Sequence, residues 1–205
     1  IYECRKDWGP ATKLLPTLER YWGSTALIFY VDDDRIYRRE LLEKLVAYSE
    51  QNPDNTIAAH SVSVKRQLIE AYWKERPLAY RFFRSSTLGL WNPKRAADER
   101  PEQIAEGFGG VLTRPSFFNE SIFQCPDHLS SVDDVWISGC LTATGHAPIR
   151  CPSVQPSTRP HIENSIDTGH LDGLAQNSYS GLDRFQANAA CIQYMRSEFN
   201  IWQNP

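Results

Sequence analysis

Three aspartates stand in a row at the end of an apolar segment. Ala26–Val31 reads ALIFYV, and Asp32, Asp33 and Asp34 follow it directly. Carboxylates this close repel one another unless a cation lies among them, and hard oxygen donors suit Mg²⁺ or Mn²⁺ shared with substrate phosphates. Side chains alternate along extended backbone, so Asp32 and Asp34 can reach one site together. The competing readings are a solvated acidic turn, or Asp34 as the cap of the next helix. A second acidic pair, Asp133-Asp134, opens an apolar stretch with helical character. A helix N-terminus favours carboxylates, and a carboxylate held beside a hydroxyl can also act as general base. Glu106-Gly107-Phe108-Gly109-Gly110 is glycine-rich enough for backbone to approach a ligand closely, with a plain turn as the alternative. Asp7-Trp8-Gly9-Pro10-Ala11-Thr12-Lys13 ends in a lysine that could sit beside a phosphate. By itself the sequence favours a solvated lysine there.

Other chemistries find no support. The chain has no GxGxxG, no phosphate-binding P-loop and no GxSxG elbow. Its five histidines lack metal-ligand spacing and read as surface or packed residues, although His161 and His170 stand in a polar segment where one could complete a metal site. Five cysteines without CxxC spacing argue against structural zinc and against a disulfide framework, with a single Cys125–Cys151 bridge left open.

The elements that must position these residues follow from pattern. Ala26–Val31 is a continuous apolar run of the kind that forms a strand buried on both faces of a parallel sheet. Before it, Ala11–Tyr21 has helical spacing interrupted at Pro16. After it come an amphipathic helix over Arg39–Gln51 and a short strand over Thr56–Ala59. Strand, helix and strand in succession are an α/β signature. Further expectations are a helix near Gln67–Trp73 and edge strands within Leu78–Leu90. A loop is expected over Lys94–Pro101, a glycine turn running into a strand over Gly107–Leu112, and a short helix from Pro115. Then come a helix over Val132–Thr144, a strand over Ala147–Cys151, a long loop over Pro152–Asn177 and a closing helix over Leu182–Phe199. Ile1–Cys4 reads as the end of a strand.

The 205 residues suit one large domain. With 41% hydrophobic and 12% aromatic residues, the chain has the material for a core and does not read as disordered. A net charge of -3 provides no electrostatic footprint for nucleic acid. No apolar run approaches the roughly 18 residues of a membrane span.

Taken in order, DWGPATKLLPTLE, FYVDDD with its following helix, EGFGGVL and DDVWISG resemble a glycosyltransferase of the GT-A fold, nearest to family-2-like enzymes. The resemblance implies an α/β domain over residues 1–205, with a mixed central sheet flanked by helices. Residues 1–60 would be its donor and metal half and 61–205 its acceptor half, and part of the N-terminal nucleotide-binding unit would be lacking. It implies that Asp32 and Asp34 hold Mn²⁺ or Mg²⁺ as the outer acids of a DXD motif. Asp7, Lys13, Asp32, Asp33, Gly109 and Gly110 would contact a nucleotide-sugar donor, a UDP-sugar first of all. Asp134 would be the catalytic base, with Asp133 supporting the acceptor hydroxyl, in an inverting transfer to a glycan, protein or small-molecule acceptor. The pair is Asp-Asp where such enzymes usually carry Glu-Asp, which leaves the base open by one residue and a retaining route as an alternative. Two other classes stay open. One is a nucleotidyl- or phosphotransferase using the same acids. The other is a non-catalytic carbohydrate-binding domain whose aromatics, Tyr72, Trp73, Trp91 and Trp136, stack on sugars.

Overall fold

The apolar segments assemble as a four-stranded sheet between helices in the computed structural model, which describes residues 3–4, 6–33, 35–71, 103–154, 159–160 and 183–203. The strands are β1 (Ile28–Tyr30), β3 (Thr56–Ala58), β6 (Val111–Thr113) and β7 (Pro148–Arg150), in the order β1-β6-β3-β7. β6 runs antiparallel to both β1 and β3, and β3 runs parallel to β7. The sheet is therefore mixed. The apolar run Ala26–Val31 predicted a strand buried on both faces of a parallel sheet; the strand covers only Ile28–Tyr30, Leu27 is exposed, and the neighbour β6 is antiparallel. Burial on both faces does not specify strand direction.

Period-two alternation divides the sheet into its two faces. Ile28, Tyr30, Ala58 and Val111 enter the larger core cluster, while Phe29, Ile57 and Leu112 enter the smaller one. Helix α2 (Leu41–Gln51) covers the smaller cluster with Leu41 and Leu45. Helices α1 (Leu15–Arg20), α4 (Asp133–Ala143) and α5 (Arg184–Phe199) supply the larger. Helix α3 (Val64–Ala71) lies against α5, where buried Asn188 donates to Gln67 Oε1 at 3.1 Å. Thr56 and Thr113 share a buried hydroxyl hydrogen bond of 2.9 Å across β3 and β6, which satisfies two polar groups inside the sheet.

Two short pairs flank this sheet. β4 (Ser61–Ser63) pairs antiparallel with β5 (Gln103–Ala105), and β2 (Arg35–Ile36) with β8 (Arg159–Pro160). Neither β5 nor β8 is evident in the sequence, and β8 interrupts a segment expected to be all loop. The helix expected over Ala11–Tyr21 is divided at Leu14. A 3₁₀ turn occupies Gly9–Lys13, and α1 begins at Leu15 with Pro16 in its first turn, where a missing N–H is harmless. Asp183 and Gln186 form a reciprocal capping box that starts α5. Glu3 and Cys4 carry no strand. The expected elements over 72–101 lie outside the described residues, as do Tyr72, Trp73 and Trp91.

Four aspects of the assembly bear on the sequence expectations. All five cysteines are free thiols, so the Cys125–Cys151 bridge is not made. Burial pushes the Cys125 and Cys140 thiols up to about 12. Trp136 is a core residue whose Nε1 donates to Ile122 O at 3.0 Å, which removes it from any sugar-stacking role. β1 and β3, from residues 1–60, share one sheet with β6 and β7, from residues 61–205. Among the described residues, no helix is long and apolar enough to cross a membrane.

The α4–α5 contact has little slack. A Cβ on Gly139 of α4 would lie 2.6 Å from Met195 Sδ and 2.8 Å from its Cε and Cγ, and Met195 is fully buried. Gly139→Ala is expected to destabilise the fold by about 1–3 kcal/mol in urea unfolding. The same change in a Met195→Ala background should cost much less, because the shortened side chain vacates that space.

Candidate active site

The carboxyl ends of β1, β3 and β7 lie at the same edge of the sheet, since Tyr30 and Ala58 both register with Val111, and Ala58 also registers with Arg150. Ligands of α/β sheets characteristically bind at such an edge. Asp32 follows β1 there. The antiparallel strand β6 starts at the same edge, so the Glu106–Gly110 turn that feeds it is brought alongside. The N-terminus of α4 delivers Asp133 and Asp134 in its first turn, where the helix dipole favours their charge. Lys13 ends the 3₁₀ turn that Pro10 and Gly9 (φ +58°) set up, and Thr12 Oγ1 fixes the start of that turn by accepting the Trp8 N–H at 3.1 Å.

These pieces meet at one atom. Lys13 Nζ donates to Asp32 Oδ1 at 2.7 Å and to Asp134 Oδ1 at 3.2 Å. Asp133 Oδ2 lies 2.9 Å from the same nitrogen but is not aligned for a hydrogen bond, so it is held by charge alone. The Gly107 N–H adds a bond of 3.1 Å to Asp134 Oδ1. A Cβ at 107 would collide with Lys13 Nζ and lie 2.9 Å from Asp32 Oδ1, so any other residue there displaces the Lys13–Asp32 pair. Asp133 and Asp134 keep only 6% and 12% of their side-chain surface, against 34% for Asp32. The cluster therefore runs from a wet end at Asp32 to a dry end at α4.

Burial and crowding set the protonation states. Asp134 is pushed up to about 7, first by burial and then by the Asp133 charge, with Lys13 and the Gly107 N–H pulling the other way. Burial alone would favour a neutral Lys13 amine, but the three carboxylates together outweigh it and hold the ammonium above its ordinary value. Tyr30, the last residue of β1, is also affected. Its phenol is buried and has no hydrogen-bond partner among the described residues, and burial followed by the Asp134 charge raises it. Nothing in the apolar run ALIFYV distinguishes Tyr30 as a polar member of this edge.

The expected site residues thus separate. Lys13, Asp32, Asp133 and Asp134 come together. Lys13 is committed to carboxylates rather than being the solvated side chain the sequence favoured. Asp7 is exposed, and its Oδ1 accepts the Gly9 N–H at 2.8 Å. Asp33 is exposed. Gly109 faces His60, and Gly110 (φ +96°) faces Phe29 and Leu41, so both shape the turn from its inner side. Asp34, His161 and His170 lie outside the described residues. His60, unremarkable in the sequence, is hydrogen-bonded through Nδ1 to Glu106 Oε2.

Among the described residues, no group of three or more side chains is arranged to hold a metal ion; the carboxylates that converge do so on Lys13. The chemistry of the donor set nevertheless suits a divalent cation. It is all carboxylate, three acids outnumber one ammonium, and Asp32 is the most open of the three. Compared with family models, with curated proteins and with solved structures, the chain matches none.

Removing Lys13 tests the cluster. Lys13→Met leaves the carboxylates without their counter-charge and is expected to cost about 2–3 kcal/mol at pH 8, a range discounted for the part-exposed Asp32. The cost should shrink toward pH 5. The folded protein holds the Asp134 proton up to about 7, whereas the unfolded chain releases it in the ordinary carboxylate range. The protonated acid therefore contributes stability at low pH that is lost as pH rises through 7. Thermal unfolding of both proteins at pH 5, 6, 7 and 8 measures the difference.

Proposed function

We propose that the chain is a metal-dependent glycosyltransferase that moves a sugar from a nucleoside diphosphate sugar to an acceptor hydroxyl with inversion. One observation carries the reading. The acid at the end of β1 and the acid pair of α4, more than 100 residues apart, meet on Lys13 within 3.2 Å. Donor-side and acceptor-side groups would have to be neighbours in a single displacement. The four-motif resemblance supports the same reading, and the α/β architecture with a mixed sheet accommodates it.

The chemistry divides among the side chains. The acceptor oxygen attacks the anomeric carbon, the bond from that carbon to the diphosphate oxygen breaks, and its electron pair leaves with the diphosphate. Asp134 takes the hydroxyl proton, a task suited to a carboxyl whose affinity for a proton is raised to near neutrality. Asp133 holds Lys13 in place, and Lys13 limits the repulsion that a negatively charged donor would meet from the three acids. Asp32, with Asp34, would hold Mn²⁺ or Mg²⁺, whose chemistry is to neutralise charge on the departing diphosphate. A nucleotidyl- or phosphotransferase would need cations free for phosphate, whereas Lys13 is engaged by three carboxylates.

Turnover of UDP- and GDP-sugars, measured with Mn²⁺, with Mg²⁺ and with chelator, tests the proposal. Chelator and Asp32→Ala should both abolish turnover. Asp134→Asn should lower kcat by about 10²–10⁴-fold and leave UDP binding unchanged. In the wild type, kcat should rise with pH through about 7, because Asp134 must lose its proton to act as base. Metal-independent turnover, or full activity in Asp134→Asn, contradicts the assignment. Sugar binding without turnover and without dependence on Asp32 would instead identify a carbohydrate-binding domain.

A further inference from the structure

We propose that His60 and Glu106, floored by the Phe108 ring, form a hydroxyl-binding subsite for a neutral pyranose beside Asp134. The proposal rests on the nucleotide-sugar reading and names where a sugar ring would be held.

The pair is built into the sheet edge. The Glu106–Gly110 turn is stitched to the end of β3 by two backbone bonds, Glu106 N–H to His60 O at 3.1 Å and Ala59 N–H to Gly110 O at 3.0 Å. The turn closes so tightly that a Cβ on Gly109 would lie 2.6 Å from His60 Cβ and 3.0 Å from its backbone nitrogen. Within this frame, His60 Nδ1 is hydrogen-bonded to Glu106 Oε2. An ionised carboxylate only accepts, so Nδ1 carries the proton. A neutral ring then presents Nε2 as an acceptor.

Neither partner is sealed in the core or released to solvent. His60 keeps 30% and Glu106 22% of the side-chain surface. Phe108 lies beside them, its ring centroid 4.9 Å from the imidazole, with the Arg35 guanidinium 5.2 Å over the ring. Phe108 is half-buried and, among the described residues, belongs to neither core cluster. Gly107, between Glu106 and Phe108, is the residue whose N–H binds Asp134. A single peptide unit therefore separates the pair from the proposed base.

The chemistry selects the ligand. Imidazole Nε2 and a carboxylate both accept from O–H groups, and an aromatic ring fixed by its turn suits the C–H face of a sugar. Paired acceptors beside a ring call for a ligand with several O–H donors, whereas a simple anion brings acceptors only, so the occupant is a neutral polyhydroxylated ring.

Saturation-transfer NMR with methyl glucoside, methyl galactoside and methyl mannoside tests this, with UDP and Mn²⁺ titrated separately. In the wild type, saturation should pass to the ring protons of at least one glycoside. His60→Ala and Phe108→Ala should each weaken that binding by about fivefold or more. His60→Gln, which keeps an acceptor near the Nε2 position, should retain most of it, and UDP binding should be unchanged throughout. The wild-type imidazole should show the Nδ1-protonated tautomer in its ¹⁵N shifts, a readout independent of whether any variant folds. Absence of glycoside binding to the wild type, wild-type binding in both alanine variants, or the Nε2-protonated tautomer would overturn the proposal. Glycoside binding without UDP binding would overturn the nucleotide-sugar reading and leave the subsite standing.

Discussion

A single ammonium among three carboxylates is the constraint around which this edge of the protein is organised. Lys13 Nζ contacts Asp32, Asp133 and Asp134, all within 3.2 Å, in a setting where its side chain keeps 14% of its surface. Buried charge is tolerated only when paired, and removing one partner leaves the others uncompensated. Each neighbouring element has to comply. β1 must end where Asp32 reaches the lysine, and α4 must begin with its acids turned to it. The turn before β6 must carry glycine at 107 so that backbone can pass beside the Lys13–Asp32 pair. The break at Leu14, between the 3₁₀ turn and α1, lets Lys13 point to the sheet edge while Leu14, Leu15 and Leu18 remain in the core.

The same constraint leaves a residue of unfavourable energy. Three acids outnumber one cation, Asp134 is driven toward its neutral form, and among the described residues Asp133 Oδ2 lacks a directed hydrogen bond and the Tyr30 hydroxyl has no partner. Such features are costly in a core and cluster where function requires them. The excess negative charge at Asp32 and the raised proton affinity at Asp134 are the two properties a cation-assisted transfer to a hydroxyl would use. They lie at opposite ends of the Lys13 contact, the wetter end at Asp32 and the drier end at α4.

Much of this was legible in local pattern. Ala26–Val31 announced the strand that forms over Ile28–Tyr30, and Asp133-Asp134 a helix start. Leu41–Gln51 and Arg184–Phe199 match their periodic stretches closely. What was not legible depends on distant contacts. Lys13 meets partners 19 and 121 positions away, so nothing near it marks it as buried. Tyr30 reads as one more apolar residue of its strand. His60 and Glu106, 46 positions apart, become a pair only when β4 and β5 align. The antiparallel neighbour of β1 was likewise invisible, because an apolar run encodes two covered faces and not the direction of the chain beside it.

The most direct measurement is a pH titration of the Asp134 side-chain carboxyl by ¹³C NMR, with the Lys13 ammonium followed in parallel. The expected result is a midpoint near 7, with the Lys13 signal responding over the same pH range. A midpoint near 4, with Lys13 unaffected, would contradict the convergence of these residues on one buried ammonium.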